Sequence, residues 1–502
     1  MDKENLEWIA TSKSWLNRQA CLWLGLCGVA HLNSDAWAWD GVQDEIPSPV
    51  RPDTSSWWRA GEEDPTSWTP DERAKREIPQ YVFDHAPYVH LFSREQFWPG
   101  DIAEHLNHTP PYLNYSKISD LEYERNLTNL NDLNRYDSGG YGRFVYLQSA
   151  DNVEERPRPE WLSGVHNIPQ TLQARRKDQD DEEEAEWPEF SDADQLPSQP
   201  TFETQTTEDI ESVLPSLAPR ECKDPFQPVP MPKPDLRKRS AKLRGTKHTP
   251  NQLGRSSAPA ILVVVPKEDG IVDAFWFFFY SFNLGQKVLG IRFGNHVGDW
   301  EHTMIRFRHG KPDQVFLSEH NFGDAFAWHA LENNGTAAAG AERPVVYSAV
   351  GTHAMYATPG MHPYILPWGI LHDQTDRGPL WDPALNAQSY TWDPVKKTIR
   401  ASTRNPTAPT GWFHFAGHWG DKFYPLSDPR QYRFAGQYHY VNGPTGPRFK
   451  SLDRARVCPR QAKKCHIRQW ANDGGSRRMP APGEDAEEGG IPGGNSTDTF
   501  KP

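Results

Sequence analysis

Six aromatic residues stand in a row at Phe275-Trp276-Phe277-Phe278-Phe279-Tyr280, inside an apolar run that extends from Val272 to Asn283. Dominance of aromatics and the absence of helix-capping residues predict a long buried strand there. A second run, Thr303-Met304-Ile305-Arg306-Phe307, follows the stretch Asn295-His296-Val297-Gly298-Asp299-Trp300-Glu301-His302. If this second run is a strand, alternation puts Asp299 and Glu301 on one face. His296 sits just before it, across the flexible Gly298. One imidazole and two carboxylates so spaced can converge on a single point, as a hard or borderline divalent cation requires. The plain alternative is a solvated turn followed by an edge strand.

Further strands are expected at Ile261–Val265, Gln314–Ser318 and Val345–Val350, and the dense segment Pro79–Ser93 predicts one or two more. Ile102–Leu106 reads as the start of a helix. Short strands divided by Gly, Pro and Asn turns predict a mainly β fold, an antiparallel β-sandwich or jelly roll with short peripheral helices. Hydrophobic residues are only 36% of the 502, and there are 45 prolines, so long segments are expected to stay outside the core. The chain divides accordingly. Residues 1–38 form an N-terminal segment and 39–80 an irregular arm. Residues 81–150 and 258–455 make the β domain, 151–257 a disordered insertion or linker, and 456–502 a disordered tail. The insertion carries the acidic run Asp178–Glu186 and closes on the basic cluster from Arg237 to Lys247.

The apolar stretch Ala20–Ala30 follows Lys13 and Arg18 and is shorter than the ~20 residues of a membrane span. It suits the core of a signal peptide or signal anchor, with Ala36-Trp37-Ala38 as cleavage site; a buried N-terminal helix is the alternative. Cleavage would leave Cys222, Cys458 and Cys465, of which the last two are close enough in sequence to pair. Sequons at Asn107, Asn114, Asn126, Asn334 and Asn495 are consistent with a glycoprotein. The expected location is the secretory pathway or vacuole, with the cytoplasm as alternative. A net charge of −13 argues against nonspecific nucleic-acid binding by the whole chain.

Three further turns carry candidate ligand-binding side chains: His353 in Gly351-Thr352-His353, Asp373 in His372-Asp373-Gln374, and His418 in Gly417-His418-Trp419. A His just past a strand end is well placed to face a cleft, and a surface or packing role competes for each. There is no Gly-x-Ser-x-Gly elbow and no phosphate-binding Walker loop. Cys222 has no context for a nucleophile.

Val272–Asn283, Gly294–Phe307, Ser348–Ala354, Trp412–Asp421 and Ala86–Leu91 together resemble the fungal vacuolar protein sorting-associated protein 62 family. The resemblance covers about 80–150 and 258–455 and implies a role in sorting proteins to the vacuole. Locally, His296-Val297-Gly298-Asp299-Trp300-Glu301-His302 is similar to the heptapeptide region of the necrosis-inducing, Nep-like β-sandwich cytolysins. That similarity implies a divalent cation held by His296, Asp299 and Glu301, and a sphingolipid ligand. Gly298 stands where the motif has a second His, and Asn283 is the nearest counterpart of an upstream Asp ligand.

Two functions compete. One is a non-catalytic β-sandwich that uses calcium, magnesium or manganese to hold an anionic lipid headgroup or a glycan, with peripheral membrane association. The other is a metal-dependent hydrolase of phosphoesters or glycosides, with His353 shuttling protons. In a purely structural alternative, Asp299 and Glu301 pair with Arg306, Arg292 or backbone groups.

Overall fold

The structure, a computed structural model, describes residues 3–31, 53–171 and 254–471, apart from 122–123, 138, 140–141, 289, 321, 335–340, 364–370, 435, 461 and 463. The Ala36–Ala38 cleavage site, most of the expected insertion and the tail from 472 lie outside these residues.

The aromatic run becomes strand Ile271–Asn283, and the site stretch opens strand His296–Arg308. In chain order the strands that matter here are β1 (Tyr88–His90), β2 (Ala260–Pro266), β3 (Ile271–Asn283), β4 (His296–Arg308), β5 (Lys311–Glu319) and β6 (Phe322–Ala327). They continue with β7 (Glu332–Asn334), β8 (Arg343–Ser348), β9 (Met355–Tyr356), β10 (Leu380–Trp381), β11 (Ala387–Asp393), β12 (Thr398–Ala401) and β13 (Ile467–Arg468). One sheet runs β12-β11-β2-β3-β4-β5-β6-β13; the second runs β7-β8-β1-β10 and on through Gly254–Arg255 and Gln170–Thr171, with β9 on β8. The mainly β sandwich is as expected, but its sheets are mixed: β1 runs parallel to β8, and β2 parallel to β11.

Consecutive aromatics make sense because β3 is covered on both faces. Phe275, Phe277 and Phe279 pack with Trp300, Met304, Trp412 and Trp419 under helix residues Ile102 and Leu106. Trp276, Phe278 and Tyr280 point the other way, onto Val89, Val346 and Trp381 of the second sheet. Each buried ring removes about 150 Å² or more from water, worth roughly 3–4 kcal/mol as an upper bound.

Several expected boundaries move. Among the described residues, the α-helices are α1 (Lys3–Thr11), α2 (Trp15–Leu24), α3 (Pro70–Arg76), α4 (Gln80–Asp84), α5 (Ile102–His108) and α6 (Glu160–Ser163), besides the single turn Gly411–His414. The first half of the segment read as strand is therefore α4, with only β1 extended. The arm joins the core: Trp58 is buried, and its Nε1 donates to Asp101 Oδ1 at 3.0 Å. The β domain continues past 150, since Val153, Trp161 and Leu162 are buried. At the other end the Cys458–Cys465 disulfide and β13 extend it past 455.

The N-terminal segment forms the helices α1 and α2, with Cys21 buried against the domain and five large apolar side chains of α2 exposed. Ser14 caps α2, and a Cys21–Cys27 disulfide closes the turn after it. Cys27 exchanges two backbone hydrogen bonds with Arg433, and Asn5 donates to the Tyr438 hydroxyl at 2.6 Å. Among the described residues, no helix is long and apolar enough to cross a membrane.

Candidate metal and ligand site

Strict alternation along β4 would send His296 to the face opposite Asp299. Gly298 changes this: its φ is +69°, a left-handed conformation at odds with a regular strand. The glycine is also required by space, because a Cβ there would stand 1.9 Å from the Trp419 carbonyl oxygen. Position 298 therefore has no room for the second His of the Nep-like motif.

The ligand atoms of His296, Asp299 and His320 lie within 4.8 Å of one another. That is a little wider than the ~3–4 Å edges of a polyhedron with ~2.0–2.2 Å bonds; the His320 side chain is partly exposed, and its Nδ1 stands 3.4 Å from Glu301 Oε1. His320 heads the two-residue turn between β5 and β6, with φ +56°. The turn folds it back beside the start of β4. The His296 Nδ1–H donates to the Gly298 carbonyl at 2.6 Å, which leaves Nε2 with its lone pair. Burial, opposed by Asp299, lowers the His296 pKa to about 4, so the ring is neutral and able to ligate at neutral pH.

Asp299 is buried, and its Oδ2 accepts from His353 Nδ1 at 3.0 Å, leaving Oδ1 as the available oxygen. Burial works to raise the Asp299 pKa, but the His353 hydrogen bond and the neighbouring imidazoles prevail and lower it. His353, in the turn after β8, bridges the two sheets. Its Nε2 donates to the Phe97 carbonyl at 3.0 Å, with Glu95 Oε1 3.9 Å away. Both ring nitrogens thus face acceptors. Burial opposes protonation, yet Asp299 and Glu95 raise the pKa and favour the imidazolium. The ring stacks on Tyr280 at 3.7 Å and 3°, the geometry of a cation–π pair.

Glu301 has a different place from the one expected. Its Oε1 accepts the His320 backbone N–H at 2.7 Å, and its Oε2 accepts from the Ser318 hydroxyl. Burial and the nearby Asp299 charge raise its pKa. Glu301 therefore pins the turn that carries His320, and it is the His320 ring whose ligand atom lies within 4.8 Å of those of His296 and Asp299. Nothing in the sequence near Glu301 points to His320; only the β4–β5–β6 register brings them together. Of the partners named in the structural alternative, Arg306 is held bidentately by Asp273 at 2.7 Å, whereas Glu301 does take a backbone group, the His320 N–H.

Asp373 and His418 stand apart from this cluster. Asp373 accepts from Gln286, Thr352 and Tyr356, an arrangement that braces the loop before His353. His418 Nδ1 bonds the Gly443 carbonyl at 2.6 Å while the ring stacks on Tyr146. Glu95, which no local motif marks, does more for the site than either. It accepts the N–H groups of Gln96, Phe97 and Gly351, tying the loop after β1 to the turn that holds His353.

Residues 272–423, which span β3 to the loop beyond His418, match the family model described as vacuolar protein sorting-associated protein 62. The TDA6 protein of Saccharomyces cerevisiae, which carries a vacuolar protein sorting-associated name, is 34% identical over 461 residues, 86% of this chain and 79% of that one. The chain belongs to the Vps62 family. Vacuolar protein sorting-associated protein 62 of the same yeast is 30% identical over 463 residues, 86% of this chain and 78% of its own. No solved structure matches. The Nep-like similarity finds no support in these matches, and the Cβ clash at Gly298 gives a physical reason to set it aside. Within the Vps62 match fall His296, Asp299, His320 and His353 alike.

Proposed function

We propose that this protein acts in protein sorting to the vacuole, at a vacuole-related location, as a non-catalytic binder that uses a divalent cation to hold an anionic headgroup or a glycan. The names of its relatives support the sorting role. The cation rests on one observation, the His296–Asp299–His320 cluster, whose donors are preset by hydrogen bonds and whose third member reaches solvent. Two nitrogens and one oxygen favour a borderline ion. Of the three ions expected from sequence, manganese fits better than calcium or magnesium, which take oxygen ligands, and zinc fits as well. A cation with three protein ligands keeps open positions for phosphate or hydroxyl oxygens.

Binding is favoured over hydrolysis by the state of His353. A general base needs a lone pair, and both nitrogens of this ring are committed to acceptors. The test uses soluble probes: inositol phosphates, glycerophosphoserine and a glycan array, with the full chain in EDTA and with Mn²⁺ or Zn²⁺ restored. Binding should need the metal and be lost in Asp299→Asn. Metal-independent capture that survives this substitution would refute the reading.

A further inference from the structure

Seven of the fifteen exposed large hydrophobic residues described lie between Leu6 and Val29. Five of them belong to α2: Trp15, Leu16, Leu22, Trp23 and Leu24, which are 58–81% exposed. At ~100° per residue, Leu22, Trp15, Gln19, Trp23 and Leu16 fall in that order on one arc of about 120°. The buried Cys21 lies on the other side, packed with Ile9, Leu426 and Tyr438. The polarity of α2 is thus inverted, with its most apolar face toward solvent. The helix cannot roll to hide that face, because the Cys21–Cys27 disulfide and the Cys27–Arg433 backbone pair fix it.

A second copy of the chain is a poor occupant. Ten residues make a strip ~15 Å long and ~10 Å wide, about 150 Å², against the ~800 Å² per partner of a stable interface. A bilayer needs no matching protein surface. Two tryptophans, at the start and in the last turn of α2, suit the headgroup level, where an apolar ring with one polar N–H is most at home. Lys13, exposed just before the helix, and Arg18, on the edge of the arc beside Leu22, supply charge for anionic lipids.

We propose that α2 lies in the surface layer of a phospholipid bilayer, with Trp15, Leu16, Leu22 and Trp23 immersed at the boundary between headgroups and acyl chains. The contact is independent of any cation at His296, so it is tested in EDTA. The full chain is sedimented with vesicles of phosphatidylcholine containing phosphatidylserine, beside a Trp15→Ala/Trp23→Ala variant. Because both rings are exposed, the variant should keep the wild-type melting temperature. Vesicle affinity should fall at least about tenfold. Unchanged affinity in the variant, or no sedimentation of the wild type, would overturn the proposal. So would a dimer in light scattering that the same variant dissolves, since the face would then belong to a second copy.

Discussion

Gly298 offers a sharp perturbation, because two separate costs fall on one position. Gly298→Ala places a β-carbon in a left-handed backbone, roughly 1–2 kcal/mol. It also drives that carbon to 1.9 Å from the Trp419 carbonyl oxygen, and overpacking of this kind costs about 1–3 kcal/mol more. The carbonyl has little room to retreat, since it also accepts from His105 Nε2 at 3.1 Å. Gly294 is the control. Its φ is +82°, but nothing lies within 4 Å of a Cβ there, so Gly294→Ala should cost only the backbone share, about 1–2 kcal/mol. Urea unfolding of both variants in EDTA should rank Gly298→Ala less stable by about 1–3 kcal/mol. Mn²⁺ titration should then find affinity reduced in Gly298→Ala and kept in Gly294→Ala, since only the first moves His296. Equal stabilities, or unchanged metal affinity in Gly298→Ala, would refute the claim that this glycine sets the site's geometry.

Acid should destabilise the protein partly through His105, which burial holds neutral with a pKa lowered to about 3. The unfolded chain takes up that proton near pH 6.5. Stability is therefore lost as pH falls from about 6.5 toward 3, at up to ~1.4 kcal/mol per unit; His105→Gln should flatten this slope in melting curves, and an unchanged slope would contradict it. Asp273→Asn removes the only anion between Arg306 and Lys267 among the described residues and should cost about 3–5 kcal/mol in denaturant titrations. Breaking the Cys458–Cys465 bridge by a double Ser substitution should cost about 2–3 kcal/mol and loosen β13, which hydrogen exchange would detect.

What the sequence reveals here follows from how local the determinants are. The six aromatics and the run after Asp299 announce two long strands without help from elsewhere, and both form almost as read. Asp299 and His296 are legible for the same reason, being three residues apart on one strand. His320 is not, because its approach depends on the register of a hairpin begun at β5. Asp373 and His418 stand apart from the cluster, Asp373 in the short strand His372–Thr375 accepting from Thr352 and His418 bonded to Gly443. A polar residue looks alike in sequence whether it awaits a ligand or is already held by its neighbours. Gln80–Asp84 reads as strand from its aromatics, yet it follows Pro79, which sits at the helix N-cap, and folds as one short turn of helix.

The central claim is a cation bound by two residues of β4, His296 and Asp299, and one of the neighbouring hairpin, His320. Anomalous diffraction from crystals of the full chain soaked in Mn²⁺ or Zn²⁺ tests it most directly. The account predicts a peak about 2.0–2.2 Å from His296 Nε2, an Asp299 oxygen and a His320 ring nitrogen, absent from Asp299→Asn crystals. Peaks only elsewhere, or density there that persists in the variant, would contradict it.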